Sequence, residues 1–436
     1  MAISTDSQQA LAGEHVNSWY AATANPVPER SALDGEIECE VCVVGAGFTG
    51  ISAALHLAEQ GVQVVVLEAA RVGFGASGRN GGQIVNSYSR DMDVIEARYG
   101  SETARALGDM AFEGNRIIRE RIRRHDIACD LKQGNLFAAC NVKQLAALRE
   151  QKALWERYGH RELELLEGEA LHREVGSERY VGALVDHSGG HLHPLNLVLG
   201  QAAAAEALGV VIHEQTPVIK VHHGSTVTLD TPAGRVQAKR VVMAGNAYLQ
   251  GVLPAQESKS MPSGTQIIAT QPLPETLRRQ LIPNDMAVED CNYLLDYYRF
   301  SADGRLLYGG GVNYGGQDPA DIAALIRPKM LKTFPQLAAV RIDYAWSGNF
   351  LMTLNRLPQF GRLNANVYYA QGYSGHGVTC AHLAGRLIAE VIQGESGRFD
   401  AFAGLPHLPF PGGRLLRVPL SALGAWYYAT RDRLGW

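Results

Sequence analysis

Three glycine clusters hold the residues most able to do chemistry. The first, Gly45-Ala-Gly47-Phe-Thr-Gly50, follows the apolar run at 41–44 and precedes a segment with apolar residues at 51, 55 and 58. That spacing predicts a helix, with Gly61 as its stop. The near-continuous apolar run at 62–67 reads as a strand buried on both faces, and Glu68 follows it, 23 positions after Gly45. Strand, GxGxxG, helix, strand and acid in this order form a dinucleotide-binding unit. Gly45 permits the tight turn, Gly47 the approach of a pyrophosphate and Gly50 the helix–strand contact. Phe48 and Thr49 open the helix, whose free N–H groups face the phosphates. Glu68, with Ala69 beside it, meets the ribose hydroxyls. NAD and FAD both fit at this point.

The second cluster runs from Arg71 to Gln83, and five of the ten residues from Gly73 to Gly82 are glycine. Such a loop builds no core. It can lie flat against a planar ring and aim N–H groups at phosphate or carbonyl oxygens. The third, Gly372-Tyr-Ser-Gly375-His-Gly-Val-Thr379, lies between the strand-like run at 367–371 and a helix predicted over about 378–393. A helix start stabilises negative charge placed against it. His376 sits at this turn, and a structural and a pocket role stay open for it.

These clusters need large elements to hold them, and the composition supplies them. With 436 residues, 46% of them hydrophobic, the chain can bury two cores. The net charge of −4 lacks the basic excess of a nucleic-acid partner. No apolar run spans a membrane and no secretory leader opens the chain, so a soluble cytoplasmic protein is expected. Six cysteines without dense spacing fit a reducing compartment. Cys39 and Cys42 form a CxxC inside a predicted strand. Residues three apart on a strand point to opposite faces, so two separate buried cysteines are expected rather than a redox or zinc pair.

The fingerprint, Glu68 and the Ala76-Ser-Gly-Arg-Asn-Gly-Gly82 segment resemble the D-amino-acid oxidase (DAO) superfamily of flavoproteins. Further resemblances cover nearly the whole chain. They are residues 216–219, 240–248 and 306–311, and a W-x-G, T-x-D-x-x-P-like segment from Trp346 to Pro358 with Asn355 in place of the aspartate. The resemblance implies an α/β fold. A discontinuous Rossmann-like FAD-binding domain would take 35–100, 190–250 and 345–400, and a mostly antiparallel β-sheet substrate domain with helices, such as 92–125, would take 101–189 and 251–344. Residues 1–34 would form an N-terminal extension and 401–436 a C-terminal tail. The second loop (Gly75, Ala76, Ser77, Gly78, Arg79, Asn80, Gly81, Gly82, Gln83) would run along the pyrophosphate toward the isoalloxazine. Val218 would hold the adenine from a strand, and Ala244 and Gly245 would lie beside the nucleotide. Gly348 would face the flavin, and Gly372, Tyr373, Ser374, Gly375, Gly377, Val378 and Thr379 would meet its N1 and C2 carbonyl edge.

Longer strings are similar to the branch of this family that oxidises gamma-glutamylated polyamines. They lie at 18–25, 75–90, 186–191, 289–298, 410–414 and 431–435. That similarity implies oxidation of a free primary amine to an imine, hydrolysis to an aldehyde, and transfer of electrons to O2 with release of H2O2, in putrescine and polyamine catabolism. The rival is a D-amino-acid dehydrogenase-like enzyme with another acceptor, and a flavin-binding module without turnover is a more distant one. Family members of the sarcosine oxidase type attach their flavin through a cysteine. Gly348 stands at the matching position, so FAD is expected to be non-covalent. Leu307 stands where those relatives carry a lysine that promotes reaction with oxygen.

An alkylamine with a pKa near ~10 must lose its proton before it can give up a hydride, and an apolar pocket helps by desolvation. Tyr293, Tyr297, Tyr298 and Tyr308 are the available aromatics, with Tyr298 and His376 as the catalytic candidates. No general base stands out. Arg79 and Arg299 are candidate partners for a substrate carboxylate. His191 and His193 lack a third metal ligand and read as wall or structural residues. The tail from Leu415 to Leu434 could lie at an interface or pack on its own domain. The oligomeric state stays open.

Overall fold

The computed structural model describes residues 13–249, 252 and 254–434. Within this range the chain builds two sheets, and the predicted dinucleotide unit lies at the centre of the first. Its strands run in the order Gln359–Asn364, Val367–Gln371, Gly234–Met243, Gly35–Val44, Val64–Leu67, Val211–His213. The last five are mutually parallel. The helices Phe48–Ala58 and Gly377–Ile392 cover one face. The opposite face closes on a smaller cluster that includes Leu229 and Val227 of an antiparallel flap. Burial on both faces explains why Val64–Leu67 is uniformly apolar.

The turn after Gly35–Val44 depends on two glycines. Gly45 has φ +106°, and a Cβ on Gly50 would lie 1.9 Å from the Gly45 carbonyl oxygen. The sequence therefore fixes how closely the helix start approaches the strand end.

The second sheet has the order Ile342–Thr353, Ser260–Thr270, Leu306–Tyr314, Asp296–Phe300, Ala287–Asp290, Lys132–Ala139, Gly182–His191, Gln83–Ile84. It is antiparallel except where Ala287–Asp290 pairs with Lys132–Ala139. The fold class expected from the sequence is the one observed. The span 92–125 is three helices, Met92–Tyr99, Ser101–Met110 and Glu113–Arg124. Gly100 separates the first two at φ +85°.

Of the N-terminal extension, residues 1–12 lie outside the described range. The rest is docked: Ser18 caps the short helix Trp19–Ala22 by accepting from the Ala21 N–H at 3.1 Å, and Trp19 and Tyr20 are buried against His193. In the tail, the helix Gly413–Leu434 leaves Leu415, Leu423 and Trp426 exposed, and Gly435 lies outside the described range.

Cys39 and Cys42 correct the opposite-face expectation. Both thiols are free and buried in the same apolar cluster. The ladder with Gly234–Met243 breaks between the pairs Cys39–Ala238 and Val41–Arg240, so strict alternation is interrupted between the cysteines. Burial pushes the Cys42 thiol up, which suits a core residue rather than a reactive one.

Candidate active site

One cavity of about 960 Å³ runs from the end of the first sheet to the face of the second. That volume is at the upper end of the roughly 300–1,000 Å³ usual for cofactor and ligand sites. At one end lie Gly45, Gly47, Phe48 and Thr49, with Glu68, Ala69, Val218, Ala244 and Gly245 around them. The Glu68 carboxylate accepts from the N–H groups of Ala46 at 2.7 Å and Ala70 at 3.0 Å, leaving lone pairs for a ligand hydroxyl. Burial raises its pKa, and the backbone donors oppose that shift. Residues 216–219 are not a strand: the strand there is Lys220–His222, and Val218 meets the cavity from the loop before it.

The second glycine loop supplies Gly75, Ala76, Ser77, Arg79, Asn80, Gly81 and Gln83 to the same wall. Ser77 Oγ accepts from the Phe48 N–H at 2.8 Å, which ties the loop to the start of the helix. Arg79 is buried, donates from Nε to the Phe74 carbonyl at 2.7 Å and lies over the Phe74 ring. Gly348 faces it, and a Cβ there would come 2.9 Å from Arg79 Cβ. From the third turn come Tyr373, Ser374, Gly375, His376, Gly377, Val378 and Thr379. Thr49 and Tyr373 share a hydroxyl hydrogen bond of 2.6 Å, so two of the three clusters are joined directly.

Four glycines of the expected set lie outside the cavity lining. Gly50 is under the first turn, and Gly78 packs on the Gly73 carbonyl. Gly82 and Gly372, both at positive φ, abut the Leu192 carbonyl and Thr353. They shape the loops that carry the lining residues.

Tyr298 requires a correction. It is fully buried on the far side of the sheet, where it stacks on Tyr308 at 5.3 Å and donates to the Tyr180 hydroxyl at 3.1 Å. Successive residues of a strand face opposite ways, so Tyr297 is the residue that reaches the cavity. Tyr293 lines the cavity too, and Tyr308 does not. Leu307 is buried in the core and is not among the cavity-lining residues. Arg299 also misses the cavity lining; it is buried and spends its guanidinium on carbonyls and on Tyr20. His191 meets the Asp285 carbonyl at 2.7 Å, and His193 caps a helix by accepting from the Asn196 N–H at 3.1 Å. Among the described residues no metal-binding cluster occurs.

His376 is half-buried at the start of the helix Gly377–Ile392. Desolvation lowers its pKa to about 4, so it is neutral at pH 7, and its Nδ1 has no partner among the described residues. Three charged lining residues escaped the sequence reading: Glu289, Arg90 and Arg356. Arg356 has φ +63° and donates to the Tyr293 hydroxyl at 3.1 Å; Arg90 Nε donates to the Asn355 carbonyl at 3.4 Å. All three lie inside segments whose resemblance is quoted above, yet spacing alone gives no facing direction.

A cradle of N–H groups at a helix start, an acid beside it, and glycines where side chains would collide fit a flavin dinucleotide. Residues 40–391 match the family model described as DAO, FAD dependent oxidoreductase. The chain belongs to the DAO family of FAD-dependent oxidoreductases. This oxidoreductase is 62% identical over 423 residues to gamma-glutamylputrescine oxidoreductase of Escherichia coli, covering 97% of this chain and 99% of that one. It is 42% identical to a probable oxidoreductase, OrdL, of Haemophilus influenzae, with 96% and 98% covered. Among solved structures, glycine oxidase from Geobacillus kaustophilus aligns with TM-score 0.68 at 22% identity, covering 82% of this chain and 95% of that one. L-Proline dehydrogenase from P. horikoshii aligns with the same TM-score, 0.68, at 21% identity, covering 94% and 99%. These two likenesses concern the fold. Among the described residues no helix is long and apolar enough to cross a membrane.

Proposed function

We propose that this oxidoreductase oxidises the primary amine of gamma-glutamylputrescine, or of a related gamma-glutamylated polyamine, to an aldehyde through an imine. O2 is the final acceptor and H2O2 the second product, the FAD is non-covalent, and the role is in putrescine and polyamine catabolism in the cytoplasm. The observation that carries this reading is the identity of 62% along nearly the full length of a gamma-glutamylputrescine oxidoreductase.

The far end of the cavity supports it. Such a substrate has a carboxylate at one end and an amine at the other. Arg90 and Arg356 give the wall positive charge suited to the carboxylate. Tyr293, Leu295, Tyr297, Phe350 and Met352 give an aromatic and apolar wall suited to the methylene chain and to desolvating the amine. Bound FAD supplies the hydride acceptor. The protein's own task is to hold the amine-bearing carbon against that acceptor, exclude water and strip the amine of its proton. No cysteine is among the lining residues, which supports non-covalent attachment. The boundaries of the two domains are proposed at 35–100, 190–250 and 345–400 for the FAD part and 101–189 and 251–344 for the substrate part.

The test is anaerobic addition of gamma-glutamylputrescine to the purified holoenzyme, followed near ~450 nm, where the cofactor itself gives the readout. Rapid bleaching, and peroxide on admission of air, is expected. Bleaching that persists in air would replace the oxidase by a dehydrogenase with another acceptor. No bleaching, with a D-amino acid effective instead, would overturn the substrate.

A further inference from the structure

Two carboxylates line the cavity among the described residues, Glu68 and Glu289. Glu68 is engaged by backbone N–H groups at the nucleotide end. Glu289 is placed differently. It stands on the edge of the strand Ala287–Asp290 that faces the cavity, directly across the ladder from Tyr297. Tyr297 in turn lies over Gly81 of the second glycine loop, where a Cβ would come 2.8 Å from its ring, and over Gly309, where the approach would be 2.2 Å. Glycine at both positions lets the tyrosine lie flat, so Glu289 and the glycine loop share one wall.

Among the described residues no cation neutralises Glu289. From the strand Lys132–Ala139 it meets the side-chain amide of Asn135, which also holds Gln83 at 3.2 Å; from Asp296–Phe300 it meets Tyr297. Its neighbour Asp290 faces the other way, paired with Arg179 at 2.8 Å, and acts on Glu289 as a like charge. Arg90, Arg356 and His376 line the same cavity without pairing with it, and His376 is neutral. A half-buried carboxylate with no cation of its own among the described residues, open to a cavity, is complementary to an ammonium.

The geometry points to Glu289 as the catalytic base that takes the proton from the substrate's terminal ammonium. This role rests on the amine-oxidation reading above. The N–H bond of R–CH2–NH3⁺ breaks and its proton passes to a Glu289 carboxylate oxygen. The neutral amine then loses hydride, with its electron pair, from the adjacent carbon to the bound cofactor, leaving R–CH=NH2⁺. Water adds to that carbon and NH4⁺ departs, leaving the aldehyde. Burial and the like charge of Asp290 raise the Glu289 pKa to about 7, so an appreciable fraction is ionised at neutral pH and its affinity for a proton is well above that of a free carboxylate.

The test compares wild type, Glu289→Gln and Glu289→Asp holoenzymes of equal flavin content and spectrum. One readout is the limiting rate of anaerobic flavin reduction by gamma-glutamylputrescine from pH 6 to pH 9, a window about the expected pKa. The other needs no turnover. An analogue with two methyl groups in place of the hydrogens on the amine-bearing carbon is titrated calorimetrically in buffers of different ionisation enthalpy, which reports proton exchange on binding. The expected result for Glu289→Gln is a fall of about 10²–10⁴ in the limiting rate at pH 7. The rise of the wild-type rate through about pH 7 is lost with it, as is the change in proton exchange, and Glu289→Asp keeps part of each. Weaker analogue binding with an unchanged limiting rate and pH rise would make Glu289 a mere anchor and overturn the proposal. If the wild type is bleached by a different amine only, the substrate reading fails separately. The same variants are then compared on that amine, and an unchanged rate and pH rise in Glu289→Gln overturns the assignment.

Discussion

Arg299 reaches from the middle of the second sheet to the glycine loop of the first, donating from Nε to the Gly81 carbonyl at 2.6 Å. The same guanidinium donates to the carbonyls of Leu192 and Phe300 and to the hydroxyl of Tyr20. One buried cation thus joins the strand carrying Tyr297, the loop lining the cavity and the docked N-terminal segment. Arg299→Met strands several buried acceptors, each worth roughly 1–3 kcal/mol. The expected outcome is a melting temperature lowered by several degrees and earlier release of FAD on heating, followed by flavin fluorescence. An unchanged melting curve would mean that the junction is held elsewhere.

Glu68 fixes the turn at the nucleotide end through Ala46 and Ala70. Glu68→Gln keeps the shape but turns one acceptor into a donor facing an N–H group. We expect FAD affinity to fall by about 10–100-fold, on the order of 1.4–2.8 kcal/mol for a lost charge-assisted bond. Titration of the apoprotein with FAD measures it; equal affinity would remove Glu68 from the cofactor site.

On the proposed reading Arg356 meets the substrate carboxylate, and its loss should separate binding from chemistry. Arg356→Gln is expected to raise KM for gamma-glutamylputrescine by about 10–100-fold, with kcat nearly unchanged, because the contact is the same in ground and transition states. Putrescine, which has no carboxylate, should be affected far less. A proportional loss for both amines would show that Arg356 acts on the fold through Tyr293 rather than on the glutamyl group.

The raised pKa of Glu289 has a consequence for stability without substrate. The unfolded value is near the ordinary 4.5 and the folded value about 7. A group raised on folding favours the fold fully below pH 4.5 and loses that contribution as pH rises toward 7. Above pH 7 the half-buried charge therefore costs at most about 3.5 kcal/mol, at ~1.4 kcal/mol per pK unit. Glu289→Gln should melt higher than wild type at pH 8, with the gap closing toward pH 5. A gap of the same size at both values would assign the effect to packing.

The nucleotide end was legible in the sequence because its chemistry is backbone chemistry. Gly45, Gly47 and Glu68 are fixed by turn geometry and helix start, and those leave a local signature that survives without any tertiary knowledge. The substrate end was less legible because it is made of side chains on strands, where facing direction depends on register. Register also decides Cys39 and Cys42, whose strand interrupts its own alternation. Glu289, Arg90 and Arg356 become a set only when three distant segments converge on one cavity, a long-range fact with no periodic trace. Arg299 shows the converse: a candidate ligand partner by residue type that long-range packing consumes.

The neighbours Tyr297 and Tyr298 give the most direct test of the face assignment. Tyr298 donates to the Tyr180 hydroxyl inside the second core, and Tyr297 donates to Thr265 Oγ1 at 3.3 Å on the cavity side. Tyr298→Phe removes a buried hydrogen bond and should cost about 1 kcal/mol of stability. Its rate of anaerobic flavin reduction should match wild type. Tyr297→Phe should leave stability nearly unchanged and lower that rate, because the ring lies between Glu289 and Gly81 and its hydroxyl helps fix the ring's position. Stopped-flow reduction and thermal melting on both variants decide the matter. A slow Tyr298→Phe with a normal Tyr297→Phe would require the strand Asp296–Phe300 to present its other face to the substrate, shifted by one residue in register.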